Sequence, residues 1–395
     1  MKKYENKNLG ITLVALVITI VILLILAGIS ISALTNTGLF KKAKEAKQKT
    51  EDASLEQNKI LDNYEKEVDQ YLPAFTGNTV KEAIQHGRVL NATDNTELLD
   101  EKGNKIVIPA GFKVTEDATT VDKGIVIEDA TTGATSGSQF VWIPVTKDND
   151  DNDKITKADG TTIEIKLNRY SFNSSTGAES TYSGKYVEED TNDSSTLKNI
   201  EGKSIAKNIT NFKNSIKANG GYYIGRYEAR TETKRTSSKN ALTQITEKGT
   251  DQVYNYVTQK KAAEQAQGMY TSNNFTSDLM NSYAWDTATL FLQTCGEEKY
   301  SRKTSVNKSL ASRGTNSSDY TGTRDTVCNV YDMASNIREW TTETSDNSIY
   351  PCVRRGGDYN GRNSSLCTSD RFYNDTSYSG DNYGFRPLLF VGLNS

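Results

Sequence analysis

An uncharged stretch near the start of the chain limits most strongly what the protein can fold into. Residues 11–34, ITLVALVITIVILLILAGISISAL, contain no charged side chain. At about 1.5 Å per residue a helix of this length reaches about 36 Å, enough to cross a hydrocarbon core of about 30 Å. The apolar part of a secretory signal peptide is shorter, at about 7–15 residues. We therefore predict that residues 11–34 cross the membrane as one helix.

The polar segment that follows has the spacing of a helix. Apolar side chains recur at intervals of three and four residues from Leu61 to Leu72, which predicts one face of a helix over 41–72. Pro73 ends this helix because proline cannot continue it. Residues 11–73 are therefore predicted to form a transmembrane and stalk helix.

Lysines lie on both sides of the apolar stretch and give opposite indications of its orientation. Lys2, Lys3 and Lys7 favour a cytoplasmic N-terminus, whereas the lysines between 41 and 49 favour the reverse. The large polar remainder of the chain suits export. We therefore predict a single-pass protein with the N-terminus in the cytoplasm and the C-terminal part outside the cell.

The first ten residues, MKKYENKNLG, end in Gly10, and the sequence Ile-Thr-Leu follows. This arrangement resembles the leader of type IV prepilins. The resemblance implies a bacterial cell membrane, removal of residues 1–10 by a prepilin peptidase, a mature chain that begins at Ile11, and delivery to pilin assembly machinery. Pilins usually carry Glu five residues after the cut, where this chain has Ala15. Whether the protein enters a pilus therefore stays open.

Composition excludes several classes of function. The net charge is −3, so there is no basic excess to neutralise nucleic-acid phosphates, and we expect no nucleic-acid partner. The chain has one histidine, His86, and four cysteines. These numbers leave too few residues for a His-rich metal site, a Cys₂His₂ zinc site or a Ser-His-Asp triad away from His86.

The C-terminal third contains the most distinctive motifs. In order they are VCNVYDMASNIREWTTE (327–343), YPCVRRGGDYN (350–360), SDRFYN (369–374) and NYGFRPLLFV (382–391), with FVWIPV (140–145) and YYIGRYEA (222–229) upstream. This series resembles the formylglycine-generating-enzyme family. The resemblance implies an α+β, C-type lectin-like domain over 106–391 with a polar insertion at 147–219. Polar clusters between 74 and 105 predict a linker with short helical pieces, which would join this domain to the long pilin-like transmembrane helix.

Several residues in these motifs are expected to set the fold. Gly356 and Gly357 end a strand where the backbone turns or approaches another segment closely. Arg386 is expected to be a buried guanidinium that bonds loop carbonyls. Trp340 and Phe385 are expected in the core. Arg371 matches a buried arginine of the family.

The catalytic residues of the family are not found. Its copper site uses two cysteines shortly after the glycine pair, whereas residues 360–366 contain none and only Cys367 lies nearby. Its iron-dependent branch needs three histidines. We therefore predict a non-catalytic protein that requires no cofactor. The four cysteines form two disulfides or remain free thiols, and the sequence leaves both open: Cys295, Cys328, Cys352 and Cys367.

In the family, Asn336 and Glu339 match residues at or near a calcium site. The resemblance therefore implies a structural Ca²⁺ at these two residues, since side-chain oxygens and turn carbonyls suit this ion. The alternative is that Asn336 caps a turn and that Glu339 pairs with an arginine.

Residues 358–383 consist, with three exceptions, of Ser, Asp, Tyr, Asn, Thr, Gly and Arg. Tyrosine gives a large contact area at low entropic cost, and Ser, Asn and Gly add adaptable polar contacts. The segment resembles the variable region of proteins diversified by retroelements, which also use a lectin-like fold. An ordinary polar loop is the alternative. The predicted contacts to a protein or glycan ligand are Tyr359, Asn360, Arg362, Asn363, Asn374, Tyr378, Asp381 and Tyr383.

Together these features predict a pilin-like, surface-displayed ligand-binding protein, an adhesin or receptor. Two alternatives stay open. One is an enzyme of the same family with an unrecognised site, and the other is a structural minor pilin or pseudopilin.

Overall fold

A computed structural model describes residues 74–131, 135–147, 153–189, 200–231, 252–304, 325–358 and 366–392, and some positions between 42 and 60. The chain divides into two compact units, Met1–Pro73 and Ala74–Ser395. In the first unit every described residue is helical, which agrees at those positions with the helix predicted over 41–72. Residues 11–34, with the predicted cleavage site at Gly10 and Ile11, lie outside the described residues. No helix among the described residues is long and apolar enough to cross a membrane.

The second unit is a mixed domain of helices and several sheets. Its strands are β1 (Thr96–Leu99), β2 (Lys105–Ile108), β3 (Phe112–Val114), β4 (Val126–Asp129), β5 (Gln139–Pro144), β6 (Ile155–Thr156), β7 (Thr162–Ile163), β8 (Tyr170–Phe172), β9 (Glu179–Thr181), β10 (Gly221–Gly225), β11 (Arg230–Thr231), β12 (Gln252–Val253), β13 (Phe275–Leu279), β14 (Thr326–Val327), β15 (Val330–Tyr331), β16 (Arg338–Thr344), β17 (Cys352–Arg355), β18 (Phe372–Asn374), β19 (Tyr383–Phe385) and β20 (Pro387–Val391). Its helices are α1 (Val80–His86), α2 (Ile209–Asn219), α3 (Gln259–Gln267) and α4 (Ser282–Cys295).

The largest sheet has six antiparallel strands in the order β13-β20-β10-β5-β4-β3. Its central strands have nearly continuous apolar sequences, FVWIP in β5 and YYI in β10, and both are buried. Such runs are typical of strands that are covered on both faces. Three apolar runs of the sequence, at 106–109, 124–127 and 139–145, predict strands, and β2, β4 and β5 confirm them.

Helices cover this sheet and begin at good capping residues. Asn208 accepts a hydrogen bond from the Asn211 backbone N–H at the start of α2, and Asn281 does the same for Ala284 at the start of α4. Phe212 of α2 packs edge-on against Tyr222 of β10 and Phe390 of β20, with ring centroids 5.4 Å apart in each pair. The sheet and its helices therefore share one apolar core.

The predicted linker at 74–105 is wrong. Thr79 forms a capping box with Glu82 at the start of α1, and Val80, Ala83 and Leu98 are buried in the main core. Strand β1 pairs with β2 over its whole length. The polar clusters of this segment gave it the composition of a linker, although several of its apolar residues are buried in the core.

The predicted polar insertion at 147–219 is only partly separate from the domain. Helix α2 falls inside it and packs on the main sheet, and Ile155 and Ile165 are buried in the same core. Strands β6–β7 and β8–β9 form two small hairpins. A few apolar side chains at the right positions were enough to order segments whose average composition is polar.

Candidate functional site

A four-stranded sheet, in the order β18-β17-β16-β19, contains the C-terminal motifs. Trp340 of β16 lies opposite Arg354 of β17, and Arg354 lies opposite Phe372 of β18. Side chains alternate between the two faces of a strand, so the adjacent residues Arg354 and Arg355 point to opposite faces. The two faces differ in chemistry and are described in turn.

The face that contains Arg355 is held by buried ion pairs, and we call it the frame face. Arg355 Nη1 lies 3.3 Å from Glu343 Oε2, and Arg371 Nε lies 2.8 Å from Glu343 Oε1. Both arginines also pair with Asp286 of α4, and Arg169 pairs with Glu343. Burial alone would raise the pKa of Glu343, but the three arginines hold it below its usual range. The expected structural role of Arg371 is confirmed, because its side chain is 6% exposed.

Arg386, a further buried arginine directly after β19, connects this strand to the neighbouring loops. Arg386 donates to the carbonyl oxygens of Gly225 at 2.7 Å and Tyr331 at 2.6 Å, and it pairs with Glu339 at 2.8 Å. The prediction for Arg386 is confirmed. Gly356 has φ +76°, and a Cβ there would lie 2.7 Å from the Met333 carbonyl oxygen. The close approach predicted at this glycine is therefore present.

The residues of the implied calcium site have protein partners. Glu339 pairs with Arg386, and the Asn336 side chain donates a hydrogen bond to Glu228. Burial, with Glu339 and Asp332 nearby, raises the pKa of Glu228. Within the described residues, no group of three or more His, Cys, Asp and Glu side chains is arranged to hold a metal ion. This arrangement corresponds to the alternative in which Glu339 pairs with an arginine.

The opposite face of the sheet contains part of the predicted ligand-binding segment, and we call it the open face. Arg354 Nε donates to Asn374 Oδ1 at 2.9 Å, and the Tyr383 hydroxyl lies 3.3 Å from the same oxygen. The Tyr378 ring lies on the Tyr383 ring with centroids 4.6 Å apart, and Tyr378 is 38% exposed. Arginine, amide and aromatic groups thus meet on this face, which suits recognition of a polar ligand rather than covalent chemistry.

The structure brings some of the predicted contacts together and corrects one. Asn374, Tyr378 and Asp381 lie near one another in sequence and are exposed or half-buried. Tyr383 is 2% exposed and packs against Trp340, so its prediction as a surface contact is wrong. The reason is its position in β19, where alternation turns its ring onto the sheet. The remaining four predicted contacts lie outside the described residues: Tyr359, Asn360, Arg362 and Asn363.

Two arginines of the open face were missed by the sequence analysis. Arg338 Nε lies 2.8 Å from Asp358 Oδ2, and its Nη1 lies 3.3 Å from the Tyr383 hydroxyl. The centre of the Arg354 guanidinium lies 5.0 Å from the Tyr383 ring centroid. Alternation along β17 places Arg354 on this face once Arg355 is known to be buried on the other, but the sequence alone does not show which of the two arginines is buried.

All four cysteines are free thiols, which answers the alternative left open by their number. Burial raises the pKa of Cys328 and of Cys352 to about 12 in each case. Thiols with such pKa values are protonated at neutral pH and make poor nucleophiles and metal ligands. His86 lies beside Arg88, whose Nε donates to its Nε2, and not with the cysteines.

Comparisons with known proteins give distant likenesses. No family model and no curated protein matches the chain. Among solved structures it is similar to variable protein 1 of Treponema denticola, with 13% identity over 43% of this chain and 84% of that one and a TM-score of 0.30. It is also similar to the U1 variant of the Major Tropism Determinant, with 11% identity over 82% of this chain and all of that one and a TM-score of 0.29. At these scores the likenesses establish neither fold nor function.

Proposed function

We propose that this protein is a non-catalytic ligand-binding protein, an adhesin or receptor, displayed on a bacterial surface by a pilin-like anchor. One observation carries the proposal: the two faces of the four-stranded sheet have different roles. On the frame face, arginines and carboxylates satisfy one another. On the open face, Tyr378 is exposed beside Asn374 and Arg354, at the segment whose composition predicts binding.

The arrangement also supports a lectin-like domain of the formylglycine-generating-enzyme type. The residues that the resemblance assigns to the frame are buried and paired, namely Arg371 and Arg386, and Trp340 and Phe385 belong to a core cluster. Such a frame would let the other side chains of 358–383 change while Arg371 and the buried Tyr383 keep the fold. We therefore propose that this segment is the diversified one. A reverse-transcriptase gene and a template repeat beside the gene would support this part.

The test uses two tyrosines of nearly equal exposure. Tyr378 is 38% exposed on the open face, whereas Tyr373 is 39% exposed, and its position between Phe372 and Asn374 in β18 turns it to the other face. Arrays of glycans and of membrane proteins would be probed with the full-length chain in detergent and with Tyr378→Ala and Tyr373→Ala variants. We expect binding that Tyr378→Ala weakens and Tyr373→Ala retains. Equal binding by all three proteins would place the ligand elsewhere and overturn the proposal.

A further inference from the structure

Arg354 carries a buried positive charge that no carboxylate neutralises within the described part of the chain. Arg354 is 8% exposed, and its guanidinium forms no ion pair with a described residue. Its one hydrogen bond to a described residue, from Nε to Asn374, leaves both terminal nitrogens of the guanidinium without an acceptor in the part of the chain that the structure describes. Buried arginines are normally paired, because an unpaired buried charge is costly. Three other arginines of this region are also buried, and each pairs with a carboxylate: Arg338, Arg355 and Arg386. Arg354 does not follow this rule.

Aromatic rings contact the guanidinium of Arg354 and offset part of the cost of its burial, but they do not replace a carboxylate. The guanidinium lies between the rings of Phe372 and Tyr383, at 5.1 Å and 5.0 Å from their centroids. Burial lowers its pKa to about 10, and the positive charge of Arg338 contributes to that shift. The nearby carboxylate, Asp358, is engaged by Arg338 and by the Asn382 side chain. Residues 359–365, YNGRNSS, contain no acid and add a further arginine.

We propose that Arg354 binds a carboxylate of the ligand, and specifically an acidic side chain on a partner protein. This inference rests on the proposed function. The two free terminal nitrogens suit the two oxygens of a planar carboxylate. One unpaired positive charge matches a monoanion better than a phosphate dianion. Tyr378 beside it supplies the exposed aromatic contact that, with arginine, is common at the centres of protein interfaces.

The first experiment needs no knowledge of the ligand. The melting temperature of the full-length chain in detergent is measured with N-acetyl-glutamate amide, N-acetylneuraminic acid, inorganic phosphate or chloride, at one ionic strength. We expect the glutamate derivative to raise the melting temperature of the wild type. Arg354→Gln should abolish that rise. Arg88→Gln, which removes the same charge at a remote site, should leave it unchanged.

The second measurement separates a binding role from a structural one. Without any added anion, Arg354→Met should be at least as stable as the wild type, since it removes a buried unpaired charge. Arg355→Met should be clearly less stable, because its loss leaves Asp286 and Glu343 with fewer partners. If Arg354→Met is destabilised as much as Arg355→Met, Arg354 belongs to the frame and the inference is wrong.

The remaining outcomes each decide one point. A larger rise with phosphate or with the sugar acid would replace the acidic side chain by that other group and overturn the proposal as stated. Once a partner is known, Arg354→Gln should weaken its binding by about ten-fold or more. Partner binding that depends on Tyr378 and is unchanged in Arg354→Gln would leave the proposed function intact and reject the carboxylate. A rise in melting temperature with the glutamate derivative, without binding to any partner on the arrays, would support the carboxylate site at Arg354 and reject the proposed function.

Discussion

The adjacent residues Arg354 and Arg355 have different roles in this protein. Arg355 is fully buried among Asp286 and Glu343, whereas Arg354 lies on the open face beside Asn374, Tyr378 and Tyr383. The difference follows from strand geometry, since successive side chains of β17 face opposite sides of the sheet. A chemical description of the sequence treats the two arginines as equivalent, and only their position in the strand separates them.

The two neighbouring tyrosines of the open face, Tyr378 and Tyr383, should respond differently to truncation. Tyr383→Ala is expected to lower the free energy of unfolding by about 3–5 kcal/mol, because a buried ring against Trp340 is lost. Tyr378→Ala should change it by no more than about 1 kcal/mol, because this ring is partly in solvent. Urea unfolding of both variants measures the difference. Equal stability of the two variants would contradict the burial of Tyr383.

Glu188 should make stability depend on pH near neutrality. Burial raises the pKa of this carboxyl from 4.5 to about 7, although Thr342 and the Ser282 backbone N–H donate to it. Protonation therefore stabilises the folded state fully below about pH 4.5, and this contribution is lost as the pH rises through about 7. Glu188→Gln has no charge, and its amide oxygen can accept from the Ser282 backbone N–H while its NH₂ group donates to the Thr342 hydroxyl.

The difference in melting temperature between Glu188→Gln and the wild type should accordingly grow in favour of the variant from pH 4.5 to pH 8. The exposed Glu97→Gln serves as the control. A difference that does not change with pH would show that Glu188 stays ionised in the folded protein.

At the scale of elements, ion pairs join α4 to the second sheet. Asp286 of α4 meets Arg355 of β17 and Arg371, and Glu343 of β16 meets the same two arginines. Trp285 of α4 adds a hydrogen bond from its indole nitrogen to the Thr368 carbonyl oxygen at 2.9 Å. The helix therefore fixes the position of β16, β17 and the start of β18, and through them the position of the open face.

Removing one member of this network should be costly. Arg371→Ala is expected to lower the free energy of unfolding by about 3–5 kcal/mol, because it leaves buried carboxylates with fewer partners. Arg302→Ala removes an arginine that lies 3.7 Å from Asp370 near the surface, and should cost about 1 kcal/mol or less. Urea denaturation followed by near-UV circular dichroism compares them. A stable Arg371→Ala protein that no longer binds would move Arg371 to the binding site.

Strong local patterns allowed several elements to be predicted from the sequence. The apolar runs at 124–127 and 139–145 lie in or next to β4 and β5. The stretches near 258–267 and 279–293 have sequences that predict helices, and they form α3 and α4 with shifted ends. Strand β1 and the packing of the short helix α1 were missed, because their burial depends on single residues such as Val80 and Leu98 that contact residues distant in sequence. Composition cannot reveal a contact of that kind.

The candidate site was predictable in its location and less so in its members. Flanking motifs located the segment 358–383, and their arginines and glycine have the roles expected of them. Tyr383 was assigned to the surface because its neighbours in sequence are polar, whereas pairing with Arg338 in β16 places it in the sheet. Arg338 and Arg354 were missed because their role depends on which face each strand presents, and this requires the sheet register.

For the whole molecule, the N-terminal processing remains a prediction. The chain in native membranes should begin at Ile11, because Gly10 ends a basic leader in front of an apolar helix. N-terminal sequencing of the purified protein measures this directly. A chain that still carries residues 2–10, or one cut after residue 34, would reject the pilin-like anchor.

Calcium removal should leave the domain as stable as before. The Glu339 carboxylate pairs with Arg386, and the Asn336 amide nitrogen donates to Glu228, so contacts within the protein hold both side chains in place without a cation. We expect the melting temperature to be the same with EGTA and with added Ca²⁺. A marked fall with EGTA that calcium, but not magnesium, reverses would restore the calcium site implied by the family.

Alternation along β17 means that adjacent codons tolerate very different changes. In a saturation scan of positions 352–355, substitutions at Arg355 should be rejected and those at Arg354 accepted, provided that only folding is selected. Mutations of the exposed residues of the open face can therefore change the binding partner without unfolding the domain. Changes in binding would then be confined to one face of the sheet, while the ion pairs on its other face preserve stability.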